Sequence, residues 1–271
     1  MAYRYIITEQ DEHGIVTVTL NDPEAKNAVS PEMNEEIVAE VERIDRDPSA
    51  RVMILTGSGR IFCSGGNIKK MIEKGKVLEA EAPSPRDQLS PIDVGIRKVV
   101  HSLRRLSKPA IAAVNGPAVG SGIGLAAGCD IRIASSEAKF GWVFVRRGIV
   151  PDDMSLALVQ QLIGYANAFE WGVTGRTIDA ARAKEIGFVG HVVAPEQLMA
   201  TSRALALEIS QNCPPLTVQT FKLVLGESIG QSLEDSARLV AKAQEFVSAT
   251  EDHHEALRAY GERRAPVWKG R

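Results

Sequence analysis

The sequence lacks the features that mark several classes of protein. Its three cysteines, Cys63, Cys129 and Cys213, are too few and too far apart for a disulfide framework or a CxxC metal site. No apolar run approaches the roughly 18 residues that a membrane-spanning helix needs. The first fourteen residues also lack the apolar stretch of a secretion signal. These absences predict a cytoplasmic protein with reduced thiols, no bound metal and no membrane partner.

The charge balance is close to neutral. The chain has 32 basic and 34 acidic side chains, which gives a formal net charge of −2. Such a balance argues against nucleic acid as the main partner, because phosphate binding needs a basic excess or a basic stripe. The 271 residues, 44% of them hydrophobic, are enough for one large α/β domain or two small ones.

Several short apolar runs in the first part of the chain predict strands that lead into turns and helices. Two alternating runs, 3–8 and 15–20, are separated by Gly14 and predict a hairpin. Compact apolar runs at 52–56 and 110–114 predict buried strands. A helix is expected to begin at Ser30-Pro31, because serine is a good N-cap and proline fits the first helical position.

The character of the sequence changes after Pro195. Four helical patterns follow one another there, and we expect helices at 195–211, 216–227, 233–249 and 251–264. The sequence therefore predicts an α/β core at residues 1–195 and a helical region at residues 196–271, which together form one architecture. A charged, proline-containing stretch at 75–91 fits either a mobile surface loop or an ordered excursion.

Two segments place a small side chain between glycines where a helix begins. They are Phe-Cys-Ser-Gly-Gly-Asn at 62–67 and Gly-Ser-Gly-Ile-Gly at 120–124. The first N–H groups of a helix have no intrahelical acceptor, and glycine lets a ligand oxygen approach them closely. Two such termini aimed at one point would form an oxyanion hole. Close packing of a helix on a strand is the alternative explanation of the glycines.

A dinucleotide-binding fingerprint competes with this interpretation. Residues 122–127 match GxGxxA after a strand. However, the distance from Gly122 to the next expected strand at Ile131 leaves room for barely two helical turns, and a parallel crossover usually needs about 10–12 residues. The spacing therefore disfavours a dinucleotide site.

The motifs taken together resemble the crotonase, or enoyl-CoA hydratase/isomerase, family over essentially the whole chain. The resemblance rests on Asn-Asp-Pro at 21–23 with Lys-Asn-Ala at 26–28, on the two glycine-flanked segments, on Phe-Gly…Gly…Pro between 140 and 151, and on Glu-Arg-Arg at 262–264. It implies an α/β fold, namely a spiral of strand-strand-helix repeats followed by C-terminal helices that build homotrimers, often paired into hexamers. It further implies an acyl-CoA substrate and no metal or redox cofactor.

The resemblance also implies site residues by position. The oxyanion donors would be the backbone N–H groups of Ser64 and Ser121. This assignment requires that both groups point at a common spot and are free of internal partners. The residues at the positions that bind coenzyme A in the family are Lys26, Ala28, Ser64, Gly65, Gly66, Asn67, Ile68 and Lys269.

The sequence departs from the family at the two glutamates with which its hydratases activate water. Gly124 and Phe144 stand at those positions, so two-carboxylate hydration is disfavoured. Asp152, directly after Pro151, stands where some family members that act as dienoyl-CoA isomerases or aromatic-CoA dehalogenases have a working aspartate, so the resemblance implies that it is the single acid/base. Asp153 is the alternative: one of the two would face the pocket and the other cap the helix near Ser155, or both would only cap.

The expected acyl pocket contains Gly124, Trp142 and Phe144. The expected activity is that of an acyl-CoA enzyme of the enoyl-CoA hydratase/isomerase type, with proton shuttling favoured over hydration. Hydrolysis, decarboxylation or dehalogenation of an acyl-CoA is one alternative. A catalytically inactive CoA-binding homo-oligomer is another.

Overall fold

The computed structural model describes residues 3–66 and 95–271. The expected coenzyme A contacts of Asn67 and Ile68, the helix expected near Asn67 and the 75–91 stretch lie outside these residues. In the described part of the chain there are nine strands: β1 (Ile6–Gln10), β2 (Ile15–Leu20), β3 (Val52–Gly57), β4 (Ala110–Val114), β5 (Ala118–Val119), β6 (Ile131–Ser135), β7 (Lys139–Gly141), β8 (Thr177–Asp179) and β9 (His191–Val193).

The described helices follow the strands and then dominate the C-terminal part. They are α1 (Pro31–Arg46), α2 (Gly95–Arg105), α3 (Ser121–Gly128), α4 (Ser155–Thr174), α5 (Ala180–Glu185), α6 (Leu198–Asn212), α7 (Pro215–Glu227), α8 (Leu233–Ser248) and α9 (Glu251–Glu262). The four helices expected after Pro195 are confirmed with ends shifted by three residues at most. Helix α3 has eight residues, about two turns, as the spacing predicted.

Six strands form the main sheet in the order β1-β2-β3-β4-β6-β9. The β1–β2 hairpin is antiparallel and the remaining pairs are parallel. Strands β5, β7 and β8 form a second, smaller sheet. Because β5 leads directly into α3, the smaller sheet fixes where that helix begins.

Both faces of the main sheet are covered, which explains why every residue of β3 is buried. Met53 and Leu55 belong to the larger apolar core, which also contains the apolar stripes of α1 and α2. Val52 and Ile54 point to the opposite face and pack in a cluster with Ala206 of α6. The first of the C-terminal helices is therefore part of the α/β core packing.

Local expectations are largely confirmed. Ser30 caps α1 by accepting a hydrogen bond from the Met33 N–H at 3.2 Å, and Pro31 is the first helical residue. The 140–151 segment, which carries the Phe-Gly…Gly…Pro motif, contains the end of β7 and a short 3-10 helix at Phe144–Arg147. No described helix is both long and apolar enough to cross a membrane.

Candidate functional site

The two glycine-flanked segments lie side by side at one end of the main sheet. The Cys63 N–H donates to the Pro117 carbonyl at 3.1 Å, and the Val119 N–H donates back to the Cys63 carbonyl at 2.9 Å. These bonds form a short parallel bridge between Cys63 and Ala118. The first turn (residues 62–66) is thereby joined to the strand that leads into the second turn (residues 120–124).

Glycine is required at the contact between the two turns. Gly65 has φ of +95°, and a Cβ there would lie 2.8 Å from the Val119 carbonyl oxygen. A Cβ at Gly122 would lie 2.7 Å from the Cys63 carbonyl oxygen. Side chains at these positions would push the turns apart. The glycines therefore do permit close packing, as one sequence interpretation held, and they bring positions 64 and 121 onto adjoining segments.

The Ser121 N–H lies at the amino terminus of α3. Ser121 is the first residue of the helix, so its N–H has no intrahelical acceptor. No acceptor for it appears among the residues that the structure describes. The N-terminal end of the helix dipole adds positive potential at this point. This amide is suited to bind a ligand oxygen.

The Ser64 N–H is not free. It donates to the Lys26 carbonyl oxygen at 3.2 Å, and the Ser64 hydroxyl donates to the Ala25 carbonyl at 3.3 Å. The expectation that both amides are without internal partners is therefore wrong for Ser64. The N–H bond is at the long end of the normal N–H···O range.

The loop that carries Lys26 is held in place by Asn27, a residue that sequence reasoning missed. The Asn27 side chain is fully buried, accepts from the Asp22 N–H, and donates to the carbonyls of Ser58 and Ile61 at 3.1 and 2.7 Å. Lys26 and Asn27 both have positive φ, at 57° and 54°. Asparagine tolerates this conformation better than most residues, which was the available sequence signal.

The structure separates the two adjacent aspartates. Asp152 is exposed, whereas Asp153 is fully buried. The Asp153 Oδ1 accepts the Ser155 N–H at 3.1 Å, so its side chain satisfies the N–H of the first residue of α4 although Met154 occupies the N-cap position. The Asp153 Oδ2 is buried and has no hydrogen-bond partner among the residues that the structure describes.

The free oxygen of Asp153 lies against Gly124. A Cβ at position 124 would be 2.5 Å from Oδ2 and 2.8 Å from Cγ of Asp153. Gly124 is one helical turn after Ser121 on α3, so the carboxyl sits beside the second turn. The structure thus brings a carboxyl to the place where the sequence has Gly124, and that carboxyl belongs to Asp153.

Burial sets the protonation behaviour of the groups around this point. Desolvation raises the pKa of Asp153 from 3.8 to about 6, with hydrogen bonds from Ser155 opposing the rise and the charge of Asp152 adding to it. Desolvation likewise raises the pKa of the Cys63 thiol to about 12, and the Asp153 charge contributes to that rise. Cys63 is therefore a neutral thiol at physiological pH, and Asp153 titrates close to neutrality.

Trp142 and Phe144 of the expected acyl pocket line an apolar cavity of about 330 Å³. The other lining residues are Val145, Val150, Pro151, Leu156, Gln160, Tyr165, Ala168, Phe169, Gly172 and Val173. Trp142 also donates its indole N–H to the Ser155 hydroxyl at 2.9 Å. A hydrogen-bonded chain therefore runs from the cavity wall through Ser155 to Asp153. Gly124 lies at the Asp153 end of that chain.

The remaining expected ligand-binding residues are placed as follows. Lys26 is exposed, Ala28 is 7% exposed, and Gly65 and Gly66 belong to the first turn. The Lys269 side chain forms an ion pair with Glu251 at 3.2 Å, and the Lys269 backbone N–H donates to the Asp252 carboxylate. In the described part of the chain no cluster of three or more His, Cys, Asp or Glu residues could hold a metal ion.

Comparison with known proteins agrees with this architecture. The sequence model of the family described as enoyl-CoA hydratase/isomerase matches residues 10–271. An enoyl-CoA hydratase of Mycobacterium tuberculosis is 35% identical over 267 residues, covering 98% of this chain and 96% of that protein. The 1,2-epoxyphenylacetyl-CoA isomerase of Escherichia coli is 30% identical over 260 residues, covering 96% and 97%.

Solved structures similar to this fold come from the same family. The crystal structure of an enoyl-CoA hydratase from Bacillus anthracis superimposes with a TM-score of 0.89 at 30% identity, covering 99% of this chain and all of that one. The resemblance read from the motifs is confirmed, as is the strand-strand-helix architecture with C-terminal helices. The chain belongs to the crotonase family and is an enzyme of the enoyl-CoA hydratase/isomerase type.

Proposed function

We propose that the protein moves a proton within an acyl-CoA thioester through an enolate that is stabilised by the backbone N–H groups of Ser64 and Ser121. One carboxyl from the Asp152–Asp153 pair supplies the acid/base chemistry. The reaction is isomerisation of an enoyl-CoA double bond, because neither Gly124 nor Phe144 offers a second carboxylate to activate water.

The observation that carries this proposal is the contact between the two turns. The bridge between Cys63 and Ala118 and the close approach at Gly65 bring the two donor positions onto adjoining segments. An enolate oxyanion needs two or more oriented donors in a water-excluded place, and backbone amides at such a contact satisfy that need. Ser64 has to exchange its 3.2 Å bond to Lys26 for the thioester oxygen.

The acyl chain is proposed to lie toward the cavity lined by Trp142 and Phe144. A cavity of about 330 Å³ with an almost wholly apolar lining suits an apolar acyl group, including an aryl group. The E. coli relative, named for an arylacetyl-CoA, belongs to the same family. Exposed Lys26, next to the first turn, is the proposed contact of the coenzyme A phosphates. Ala28, Gly65 and Gly66 are proposed to contact the rest of coenzyme A. Lys269 would have to release Glu251 to take part.

We also propose that the chain forms a homotrimer, alone or as a pair of trimers. Helices α7 and α8 have no buried residue along their described lengths. They expose large apolar side chains, among them Phe221, Leu225, Leu233, Val240 and Phe246. An apolar surface of this kind marks a contact between subunits. Light scattering at several concentrations measures the mass, and a monomer at all of them contradicts this proposal.

Three CoA thioesters of one chain length test the reaction. trans-3-Hexenoyl-CoA reports isomerisation, trans-2-hexenoyl-CoA reports hydration, and hexanoyl-CoA reports binding and hydrolysis. trans-4-Phenyl-3-butenoyl-CoA adds an aryl member. We expect conversion of the 3-enoyl thioesters to 2-enoyl products to exceed hydration, as measured by chromatography. Dominant hydration or hydrolysis would identify one of the alternative reactions, and binding of hexanoyl-CoA without any turnover would identify an inactive binder.

A further inference from the structure

We propose that Asp153, through its Oδ2 atom, is the group that carries the proton between the α- and γ-carbons of the acyl chain, and that Gly124 leaves the space this carboxyl occupies. This inference rests on the proposed function. It assigns the proton transfer to the buried member of the aspartate pair instead of Asp152, the residue that the sequence favoured.

The first support is the asymmetry of the two Asp153 oxygens. Oδ1 is fixed by the Ser155 N–H at 3.1 Å, and Ser155 is itself fixed by the Trp142 indole at 2.9 Å. Oδ2 is buried, and within residues 3–66 and 95–271 it has no hydrogen-bond partner. Leaving a buried carboxylate oxygen unpaired costs free energy, and such a group calls for a functional explanation. A proton acceptor needs one oxygen held in place and one oxygen free of hydrogen bonds, and among the described residues this carboxyl meets both conditions.

The second support is position. The Asp153 Oδ2 atom lies 2.5 Å from the point that a Cβ of residue 124 would occupy. Residue 124 is one turn along α3 from the Ser121 N–H, and the Asp153 charge is felt by Cys63, the neighbour of Ser64. The carboxyl is therefore close to both turns that are proposed to hold the thioester oxygen. Asp152, in contrast, is exposed.

Helix capping alone accounts for only half of these observations. Capping of α4 needs one acceptor oxygen, and Oδ1 provides it. A serine or asparagine would cap equally well without placing an ionisable, unpaired oxygen in the interior. Capping therefore leaves Oδ2 and its contact with Gly124 unexplained.

The proton transfer balances without a co-reactant. The ionised Asp153 carboxylate takes the proton from the α-carbon of a 3-enoyl-CoA, the C–H electron pair forms a double bond between the α-carbon and the thioester carbon, and the carbonyl π pair moves onto the oxygen, which gives a dienolate conjugated with the 3,4 double bond. The protonated carboxyl then delivers the proton to the γ-carbon, where the 3,4 π pair forms the new C–H bond. The pair between the α-carbon and the thioester carbon shifts to the α,β position, the oxyanion re-forms the carbonyl, and the carboxylate is regenerated. In the described part of the chain, the titratable neighbours of this carboxyl are Asp152, which repels its negative charge, and Cys63, which is a neutral thiol.

The test compares wild type, Asp153→Asn and Asp152→Asn on trans-3-hexenoyl-CoA, with hexanoyl-CoA binding measured by calorimetry. Asparagine keeps the acceptor that caps α4, so a capping role survives Asp153→Asn. We expect Asp153→Asn to lose at least about 100-fold in kcat, the usual range for removing an acid/base, while hexanoyl-CoA binds within about threefold of wild type. In D2O, we expect the wild-type product to retain part of the transferred hydrogen, because the carboxyl is buried.

The pH profile provides a readout that a purely structural role would not move. Wild-type kcat should rise with pH around a midpoint near 6, because the carboxylate is the reactive form. Asp152→Asn should retain most of the turnover and shift this midpoint slightly to lower pH, since burial is the main cause of the raised Asp153 pKa and the substitution removes only the charge that adds to it. Turnover retained by Asp153→Asn overturns the inference, as does turnover lost only in Asp152→Asn; both leave the proposed function intact. A wild type that converts none of the thioesters contradicts the proposed function itself.

Discussion

The two turns at the site are alike in sequence but differ in whether the serine N–H is already hydrogen-bonded. In the first turn the Ser64 N–H is bonded to the Lys26 carbonyl, and the turn is tied to neighbouring loops by further hydrogen bonds. In the second turn the Ser121 N–H opens helix α3 without an acceptor in the described part of the chain. The comparison teaches that a helix start keeps a donor ready for a ligand, whereas a donor between two loops must first give up a partner.

Removing the ready donor should have the largest effect. Ser121→Pro deletes the N–H at the first helical position, where proline is well tolerated, so the fold should survive. We expect kcat for 3-enoyl-CoA isomerisation to fall by about 100- to 1,000-fold, as for loss of one oxyanion donor. Ser121→Ala keeps the N–H and should lose far less. Similar losses in the two variants, with native circular dichroism for both, would show that the side chain and not the amide matters.

The Asp153 carboxyl lies against Gly124 in the second turn, and its ionisation should change the free energy of unfolding. The pKa of Asp153 is raised from 3.8 to about 6 by burial, so the folded state binds its proton more tightly than the unfolded state. Stability from this group is complete below about pH 4 and is lost as pH rises through about 6. At pH 7.5, Asp153→Asn should increase the free energy of unfolding by on the order of 3 kcal/mol at most.

Denaturant unfolding from pH 4 to 8 measures this gain, which should disappear at the acidic end. The matched control is Asp152→Asn, an exposed substitution that should change the free energy of unfolding by about 0.5 kcal/mol or less. If Asp153→Asn changed the free energy of unfolding equally at every pH, folding would not raise the pKa of the Asp153 carboxyl.

The contact between the turns can be broken directly at Gly65. Gly65→Ala places a Cβ 2.8 Å from the Val119 carbonyl at φ of +95°, and we expect a loss of roughly 2 kcal/mol of unfolding free energy. Gly59→Ala separates strain from contact, because Gly59 also has positive φ, +68°, but no described residue lies within 4 Å of its Cβ position. It should cost about 1 kcal/mol. Equal losses would show that the approach of the turns contributes nothing to stability.

Local chemistry made much of the fold predictable. Ser30 and Pro31 identify the start of α1, and strand β3 is recognisable because both of its faces are apolar. Short strands such as β5 and β8, with two and three residues, were missed because their stability comes from pairing with distant segments. Sequence patterns report local preference, and these pairings are tertiary.

The sequence predicted where the site residues lie along the chain, but not which of them are hydrogen-bonded or buried. The glycines at 65 and 122 marked the two turns, yet nothing in the sequence shows that the Lys26 carbonyl occupies the Ser64 N–H. Likewise, the sequence offers two neighbouring aspartates, and only the start of α4 decides which of them turns inward. Met154, with a φ of +63°, makes the bend that leads from Asp153 into the helix.

The smallest predicted effect concerns Gly124, where the second turn meets Asp153. Inside a helix, alanine is favoured over glycine by about 1 kcal/mol, so Gly124→Ala would stabilise α3 if nothing stood in the way. The Asp153 carboxyl stands 2.5 Å from the new Cβ. Gly124→Ala should therefore lower the free energy of unfolding in the wild type and raise it in an Asp153→Ala background, with a coupling of more than about 1 kcal/mol. Gly122→Ala, whose Cβ meets the Cys63 backbone, should show no coupling to Asp153→Ala. Coupling at both glycines would mean that Asp153 acts on the whole of α3, whereas coupling at Gly124 alone locates the carboxyl at one turn from the Ser121 amide.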